Sequence, residues 1–393
     1  MSVRTVRNWI KQAKEGKLQL ELVRVGNNHY VSLNPGNKKV LDEYAGKFRA
    51  RGRTVKTISP KPEFYRAFTQ SQIYDIVRNL EMHHEIPRQY NYFDGGAVEW
   101  DKYTAKLAEE RVPNLLNSTV DLLEENYGYL DKRLAQFEQI NVVDVGVGNA
   151  LPARQLIGHL LGAGKLGRYI ALDISDEMLE IARRNVKAWF DGKVKFEKYQ
   201  LDITHERFTN LLAEDYLGKS AKKTANLVLF LGGTPFNFRR PSDAFRTINE
   251  SMNRNDLLVY TDKLETPDMH PQWFNYSTAV SEKLEIASIH RLVFDLLNID
   301  SSFYDVDMGF NPALQQRFTR AILKVGLTLK FNFEEGERTV EFEKGDDILL
   351  WRSWQTGTDD VAKLFEQTGF YTLHATQTAD REYVLTVSQV KQD

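Results

Sequence analysis

The most constraining stretch of this chain runs from Val142 to Asp173, VVDVGVGNALPARQLIGHLLGAGKLGRYIALD. An apolar run, VVDVG, stops at a glycine turn. A helical pattern follows, and a second apolar run closes on an acid. Strand, helix and strand in this order form a right-handed crossover, which makes the two strands parallel neighbours. The rhythm then continues. VKFEKYQLD, ANLVLFLG and DLLVYTD are separated by the helical stretches DEMLEIARRNVKAWF, HERFTNLLAEDYL and SDAFRTINESM. Nearly continuous apolar strands between helices require a parallel sheet covered on both faces. In such a sheet ligands bind along the edge formed by the carboxyl ends of the strands.

The 393 residues allow two or three domains, and the absence of cysteine excludes disulfides, thiolate metal sites and cysteine nucleophiles. No apolar run approaches the ~18 residues of a membrane span. The first residues have no long apolar core, so a cytoplasmic protein without membrane partners is expected. The net charge of −2 conceals an asymmetry: residues 1–66 carry 15 Lys and Arg against 5 Asp and Glu, a surplus of ten positive charges on an acidic body. A solvated charged face or an anionic partner for this module both account for it.

SVRTVRNWIKQ spaces Val3, Val6, Trp9 and Ile10 for one face of a short helix, with Ser2 as N-cap. Two runs around Gly26-Asn27-Asn28 then read as a hairpin. Helix plus hairpin resembles the opening of a winged helix-turn-helix, where basic residues meet phosphates. A second helix is expected around residues 38–51, then a linker, then a helix over SQIYDIVRNLEMHHEIP. His83 and His84 point about 100° apart on a helix, which suits surface or packing roles. YNYFDGGAVEWDKYT, at 90–104, reads as a lid, a substrate rim or a packed loop. An amphipathic helix is predicted over 112–130. Beyond about 265, helices, a hairpin over 327–351 lying beside the main sheet, a helix DDVAKLFEQTGF and a closing strand REYVLTVSQV are expected.

The glycine turn carries the chemistry. Gly146 and Gly148 allow a tight turn and close backbone approach to a ligand, and the next helix supplies free N–H groups. A dinucleotide fingerprint wants Gly or Ala three residues after Gly148, where Leu151 stands, and Pro152 removes an N–H. A nucleoside-bearing cofactor without a pyrophosphate fits better. Asp173 ends the second strand, where a carboxylate accepts bonds from ribose hydroxyls. Asp202 ends the third strand in YQLDIT, placed for an adenine amino group, with Ile203 beside it. These positions point to S-adenosylmethionine, though capping of turns is the plainer role for both acids. After the fourth strand, FLGGTPFNF turns the chain at Gly232, Gly233 and Thr234. Asn237 there suits an amine acceptor or a structural turn.

Together these residues resemble the L-histidine Nα-methyltransferase family of ergothioneine biosynthesis, over roughly 88–390. YFDGGAVEWDKYT is similar to its aromatic-Asp-x-x-Gly element, VVDVGVGNA, ALDIS and LDIT to its cofactor motifs, FLGGTPFNF to its Leu-Gly-Ser-x-x-Gly-Asn-Phe, and GDDILLWRS to its Gly-Glu-x-Ile-x-Thr-Glu-x-Ser. The resemblance implies an α/β fold: a Rossmann-like class I methyltransferase with an added α+β substrate-binding region, to which this chain adds the small winged-helix-like module. It implies methyl transfer to the α-amine of an amino acid, with Asn237 and Tyr92 as catalytic positions and Trp351 and Ser353 lining the substrate pocket. The chain departs from the pattern at three places. The family's Glu that grips imidazole with the Ser falls on Trp351, a Tyr after the first motif falls near Glu109, and a Lys in the glycine turn falls on Pro152. Histidine itself is therefore not the expected substrate.

The expected organisation is a basic module over 1–60, a helical lead-in and substrate rim over 61–135, a cofactor-binding core over 136–265 and a substrate-binding region over 266–393. The expected function is an S-adenosylmethionine-dependent N-methyltransferase acting on a small-molecule amine. The alternatives are a nucleic-acid-associated methyltransferase or metabolite-sensing DNA-binding protein using residues 1–60, and a methyltransferase fold serving only as a binding module. FLGGTPFNF stands where base-amino methyltransferases carry an NPPY-type loop, which disfavours chemistry on bases.

Overall fold

The computed structural model describes residues 55–93, 95–110, 113–213, 223–232, 234–265 and 286–391, and, toward the N-terminus, residues 10, 13, 20–25, 28–31, 34, 36, 37, 39 and 40. Its strands are β1 Leu22–Val25, β2 Asn28–Val31, β3 Val55–Ile58, β4 Gln139–Val145, β5 Leu166–Asp173, β6 Phe196–Gln200, β7 Thr224–Phe230, β8 Leu257–Lys263, β9 Tyr304–Asn311, β10 Gln316–Leu323, β11 Gly326–Phe333, β12 Gly336–Phe342, β13 Asp347–Trp354, β14 Phe370–Gln377 and β15 Tyr383–Val390. The helices, renumbered in chain order, are α1 Pro62–Ala67, α2 Gln70–His83, α3 Gly96–Glu109, α4 Leu115–Glu125, α5 Tyr127–Leu134, α6 Arg154–Gly162, α7 Asp176–Trp189, α8 Pro241–Ser251, α9 Ser288–Leu296 and α10 Thr358–Gln367.

The main sheet has seven strands in the order β14-β15-β8-β7-β4-β5-β6. Five are mutually parallel, and β15 runs antiparallel between β8 and β14. Alternation along the strands divides the core into two layers. Val142 faces one layer with Leu156, Ile157 and Leu160 of α6 and Leu179, Ala182 and Val186 of α7. Val143 and Val145 face the other with Phe245 and Ile248 of α8 and Val361 and Phe365 of α10. This is the Rossmann-like, doubly covered sheet expected, with a mixed edge.

A third core lies beside it, built from α1, α2, α9 and two small sheets, β12-β11-β3 and β13-β10-β9. The sequence reading differs most from the structure here. The hairpin expected over 327–351 is β11 and β12 only, turning at Gly336; β13 leaves it to pair with β10 in the other sheet. Strands β9, β10 and β14 were not anticipated. The linker of the N-terminal stretch contains β3, whose Val55–Ile58 pairs in parallel with Gly326–Leu329, 271 positions later. Such a partner leaves no local mark.

The helix expected over 112–130 is two helices, α4 and α5. Asn114 caps the first through its side chain, and Asn126 interrupts it, donating to the Leu122 carbonyl at 2.7 Å and to Thr376 Oγ1 at 2.8 Å. Of the expected helix over HERFTNLLAEDYL, residues 205–208 form no helix, a 3-10 turn occupies Thr209–Leu212, and residues 214–217 fall outside the described residues. Of the N-terminal module, the hairpin forms as β1 and β2, with Leu22 paired to Val31. The helix expected over 2–12 lies almost wholly outside the described residues, as do most of 38–51, residues 266–285 and Gly233. His84 closes α2 in a left-handed conformation, its ring edge-on to Phe342. Among the described residues no helix is long and apolar enough to cross a membrane.

Two buried carboxyls punctuate the main sheet. Asp144 on β4 accepts the Tyr169 hydroxyl at 2.5 Å, and Asp262 on β8 accepts that of Tyr260 at 2.8 Å. Burial pushes each up to about 7, against the weaker opposing effect of the phenol bond. The folded state thus holds these protons where the unfolded chain has released them. Their stabilising contribution is full below the ordinary value of 3.8 and is lost as pH rises to about 7. Asp144→Asn, which keeps an acceptor for Tyr169, should gain stability relative to the wild type across that interval. The gain should exceed about 1.4 kcal/mol, a tenfold change in the folding constant, in urea unfolding at successive pH values.

Candidate active site

The loop after β4 folds onto the end of β5. Gly146 and Val147 both donate their N–H to the Leu172 carbonyl, at 2.8 and 3.2 Å. Reaching it requires left-handed backbone, with φ of +67° at Gly146 and +54° at Gly148, which glycine adopts without steric cost. Asn149 then locks the turn. Its amide donates to Asp101 Oδ1 and Thr104 Oγ1, both at 2.8 Å, and its oxygen accepts the Leu151 N–H at 3.1 Å. Asp101 and Thr104 belong to α3, so that helix is tied down over the glycine loop. Trp100 of the same helix approaches Gly148, where an added Cβ would stand 3.5 Å from its Nε1. Residues 90–104, read from the sequence as a lid, a substrate rim or a packed loop, supply Trp100, Asp101 and Thr104 to this contact; these three and Asn149 were not singled out in the sequence. Their signal was polar residues one turn apart on a helix otherwise judged by its aromatics.

Asp173 sits where β5 ends. It accepts the Ser175 N–H at 3.0 Å, and the backbone N–H groups of Gly148 and Ile174 also face it. Burial among these atoms pushes its carboxyl up to about 6, although one side stays open to the cleft. Ser175 caps α7, accepting from Met178 N–H, and donates its hydroxyl to the Tyr92 carbonyl at 2.7 Å. Asp202 lies two residues beyond β6 rather than at its last position. Its Oδ1 accepts from both the N–H and the hydroxyl of Thr204, at 2.9 and 2.6 Å, so it does close a turn. It also lines the cleft, beside buried Ile203. Gly146, Gly148, Asp173, Asp202 and Ile203 all border one cleft of roughly 1210 Å³, part of it open to solvent. An apolar slot with an acid at each of two neighbouring strand ends, floored by glycine backbone, fits the adenosine and sulfonium of S-adenosylmethionine.

Tyr92 and Asn237 line the same cleft. Asn237 follows β7 on a 3-10 turn, and its Oδ1 accepts the Trp351 indole N–H at 2.9 Å. Trp351 stacks on His290 of α9 at 5.7 Å and 20°. It stands behind Asn237 and is not among the lining residues, and neither is Ser353, whose hydroxyl accepts from Gln355 at 3.0 Å. On a strand, position i+2 keeps the face but advances by about 7 Å, which carries Ser353 past the cleft. Tyr92 accepts from Arg88 Nε at 3.0 Å, and Arg88 Nη1 reaches His290 Nδ1 at 2.8 Å. Arg88 and His290 were not singled out in the sequence.

A family model described as histidine-specific methyltransferase, SAM-dependent, matches residues 73–390. No curated protein matches the chain. Among solved structures, an S-adenosylmethionine-dependent methyltransferase from Clostridium acetobutylicum ATCC 824 is 9% identical, covering 75% of this chain and 99% of its own at a TM-score of 0.42. The CcbJ methyltransferase from Streptomyces caelestis is 13% identical over 67% and 90%, at 0.37. CalS10, an amino pentose methyltransferase from Micromonospora echinaspora, is 11% identical over 74% and 97%, at 0.34.

The cofactor end predicts two outcomes. Asp173→Ala should weaken S-adenosylhomocysteine binding by about ten- to a hundredfold in calorimetry, the loss expected when a charged acceptor is removed. Wild-type affinity should also fall as pH drops through about 6, where Asp173 gains its proton, and that step should be missing in Asp173→Asn. Full affinity in the alanine variant would remove Asp173 from the cofactor site.

Proposed function

We propose, from the premise that this chain belongs to the SAM-dependent, histidine-specific methyltransferase family, that it transfers a methyl group to the amine of an amino acid or a related small molecule other than histidine. The observation that carries this reading is the pair Asn237 and Tyr92. They border the same cleft as Asp173 and Asp202, so an acceptor held by them lies beside the cofactor site.

When bound, the cofactor would supply an electrophilic methyl on a sulfonium, open to in-line displacement by a neutral amine. The chain's own contribution is alignment and dryness. Leu115, Leu116, Leu107 and Leu231 give the cleft apolar walls that exclude water. Asn237 is held in one orientation by Trp351, so its amide is pre-positioned rather than free to rotate. Tyr92 is likewise fixed by Arg88. The acceptor nitrogen must arrive neutral, and the proton it sheds after methylation passes to solvent or to an oxygen of the rim.

Trp351 occupies the place where the resembled family has a Glu for imidazole. It has no acceptor to offer an imidazole N–H, and an unpaired buried donor costs about 1–3 kcal/mol, which supports a non-histidine substrate. In this reading residues 136–265 hold the cofactor, and 61–135 with 266–393 shape the acceptor side. A catalytic role is proposed for Asn237 and Tyr92, with Trp351 holding Asn237 in place. The nucleic-acid alternative gains no support from the comparisons and is not developed.

Incubation with S-adenosylmethionine and a panel of amino acids and small amines, read by mass spectrometry, should yield a product heavier by one methylene. With that acceptor, Asn237→Ala should raise KM by about tenfold, while S-adenosylhomocysteine affinity stays unchanged. Transfer to a nucleic acid or to no amine at all would overturn the assignment.

A further inference from the structure

Arg88 stands apart from every other charged group around the cleft. It lines the same cleft as the acids Asp173 and Asp202. Its guanidinium lies 5.5 Å from the Tyr92 ring and 5.6 Å from the Trp100 ring. Nε is bound to the Tyr92 hydroxyl oxygen, and Nη1 to His290 Nδ1. Arginine only donates, so His290 must present an unprotonated Nδ1 to it. Both partners are therefore neutral. Among the described residues no carboxylate pairs with Arg88, whereas Arg168 pairs with Glu197, Arg320 with Asp307 and Asp347, and buried Arg352 with Glu85.

A guanidinium fixed by two neutral acceptors and two rings, in a mostly apolar cleft, is oriented without being neutralised. Its planar fork matches a carboxylate, which it binds through two parallel N–H bonds. Resting on the methyltransferase reading above, we propose that Arg88 is the receptor for a carboxylate of the bound ligands. Two ligands of this reaction carry that group: the amino-acid end of the cofactor, and an amino-acid acceptor. Arg88 bridges both regions. Through Trp100 it adjoins the glycine loop. Through His290 and Trp351 it connects to Asn237.

The test titrates S-adenosylhomocysteine and 5′-methylthioadenosine into the wild type, Arg88→Lys and Arg88→Gln. The two nucleosides share adenosine and thioether, and only the first has the amino-acid end. If the cofactor supplies the carboxylate, Arg88→Gln weakens S-adenosylhomocysteine by about tenfold or more, leaves 5′-methylthioadenosine within about twofold, and Arg88→Lys is intermediate. If the acceptor supplies it, both nucleosides bind as in the wild type. Titration of the amino acids at saturating S-adenosylhomocysteine then finds one whose affinity falls about tenfold in Arg88→Gln, while its carboxamide is unaffected. Equal losses for both nucleosides mean a packing role and overturn the proposal, as does the absence of any Arg88-dependent affinity in both titrations. A wild-type protein that binds neither nucleoside overturns the methyltransferase reading itself, and this inference with it.

Discussion

The structure of this enzyme turns on one backbone contact, the seating of the β4 loop on the penultimate carbonyl of β5. Gly146 and Val147 donate to Leu172, and one residue further on, Asp173 receives the Gly148 N–H. Two parallel strands are thereby made to end together, with their loops folded into a common floor. The left-handed turns at Gly146 and Gly148 follow from this geometry. So does the raised carboxyl of Asp173, since burial among backbone donors leaves its charge little water. Asn149 extends the constraint outward by tying α3 to the loop. The cover over the cofactor site is thus fixed by the same turn that makes its floor.

The cleft that results is electrically polarised. Its lining holds two acids on successive strands together with a guanidinium and aromatic rings. Few charges line the apolar walls between them. In a site of low polarity such separated charges act strongly on a ligand, because little solvent screens them. The rigid chain from Arg88 through His290 and Trp351 to Asn237 keeps the acceptor end in register with the cofactor end.

Legibility in the sequence varied with distance along the chain. The Val142–Asp173 unit, Ser175 as a cap and the alternation through β8 were readable, since each depends on neighbours within about thirty residues. Asp202 was readable as a cleft acid, though its place two residues past β6 was not. Trp351 was visible only as a departure from the resembled pattern, and its bond to Asn237 was not. Strand β3 looked like a linker because its partner β11 lies 271 positions away. Arg88 looked like any surface arginine, since its lack of a counter-ion among the described residues is a property of the folded neighbourhood.

By itself the sequence determined the doubly covered α/β sheet, the glycine turn and the acids at its edge, because hydrophobic period and turn chemistry are local and survive without tertiary context. Only the tertiary structure decided what covers the glycine loop and what surrounds Arg88 and Asn237. Lid, guanidinium and indole come from α3, a 3-10 turn at Arg88–Tyr92, α9 and β13. Those elements meet through packing across some 260 positions, and the burial and pairing that give their side chains chemical character exist only once they have met.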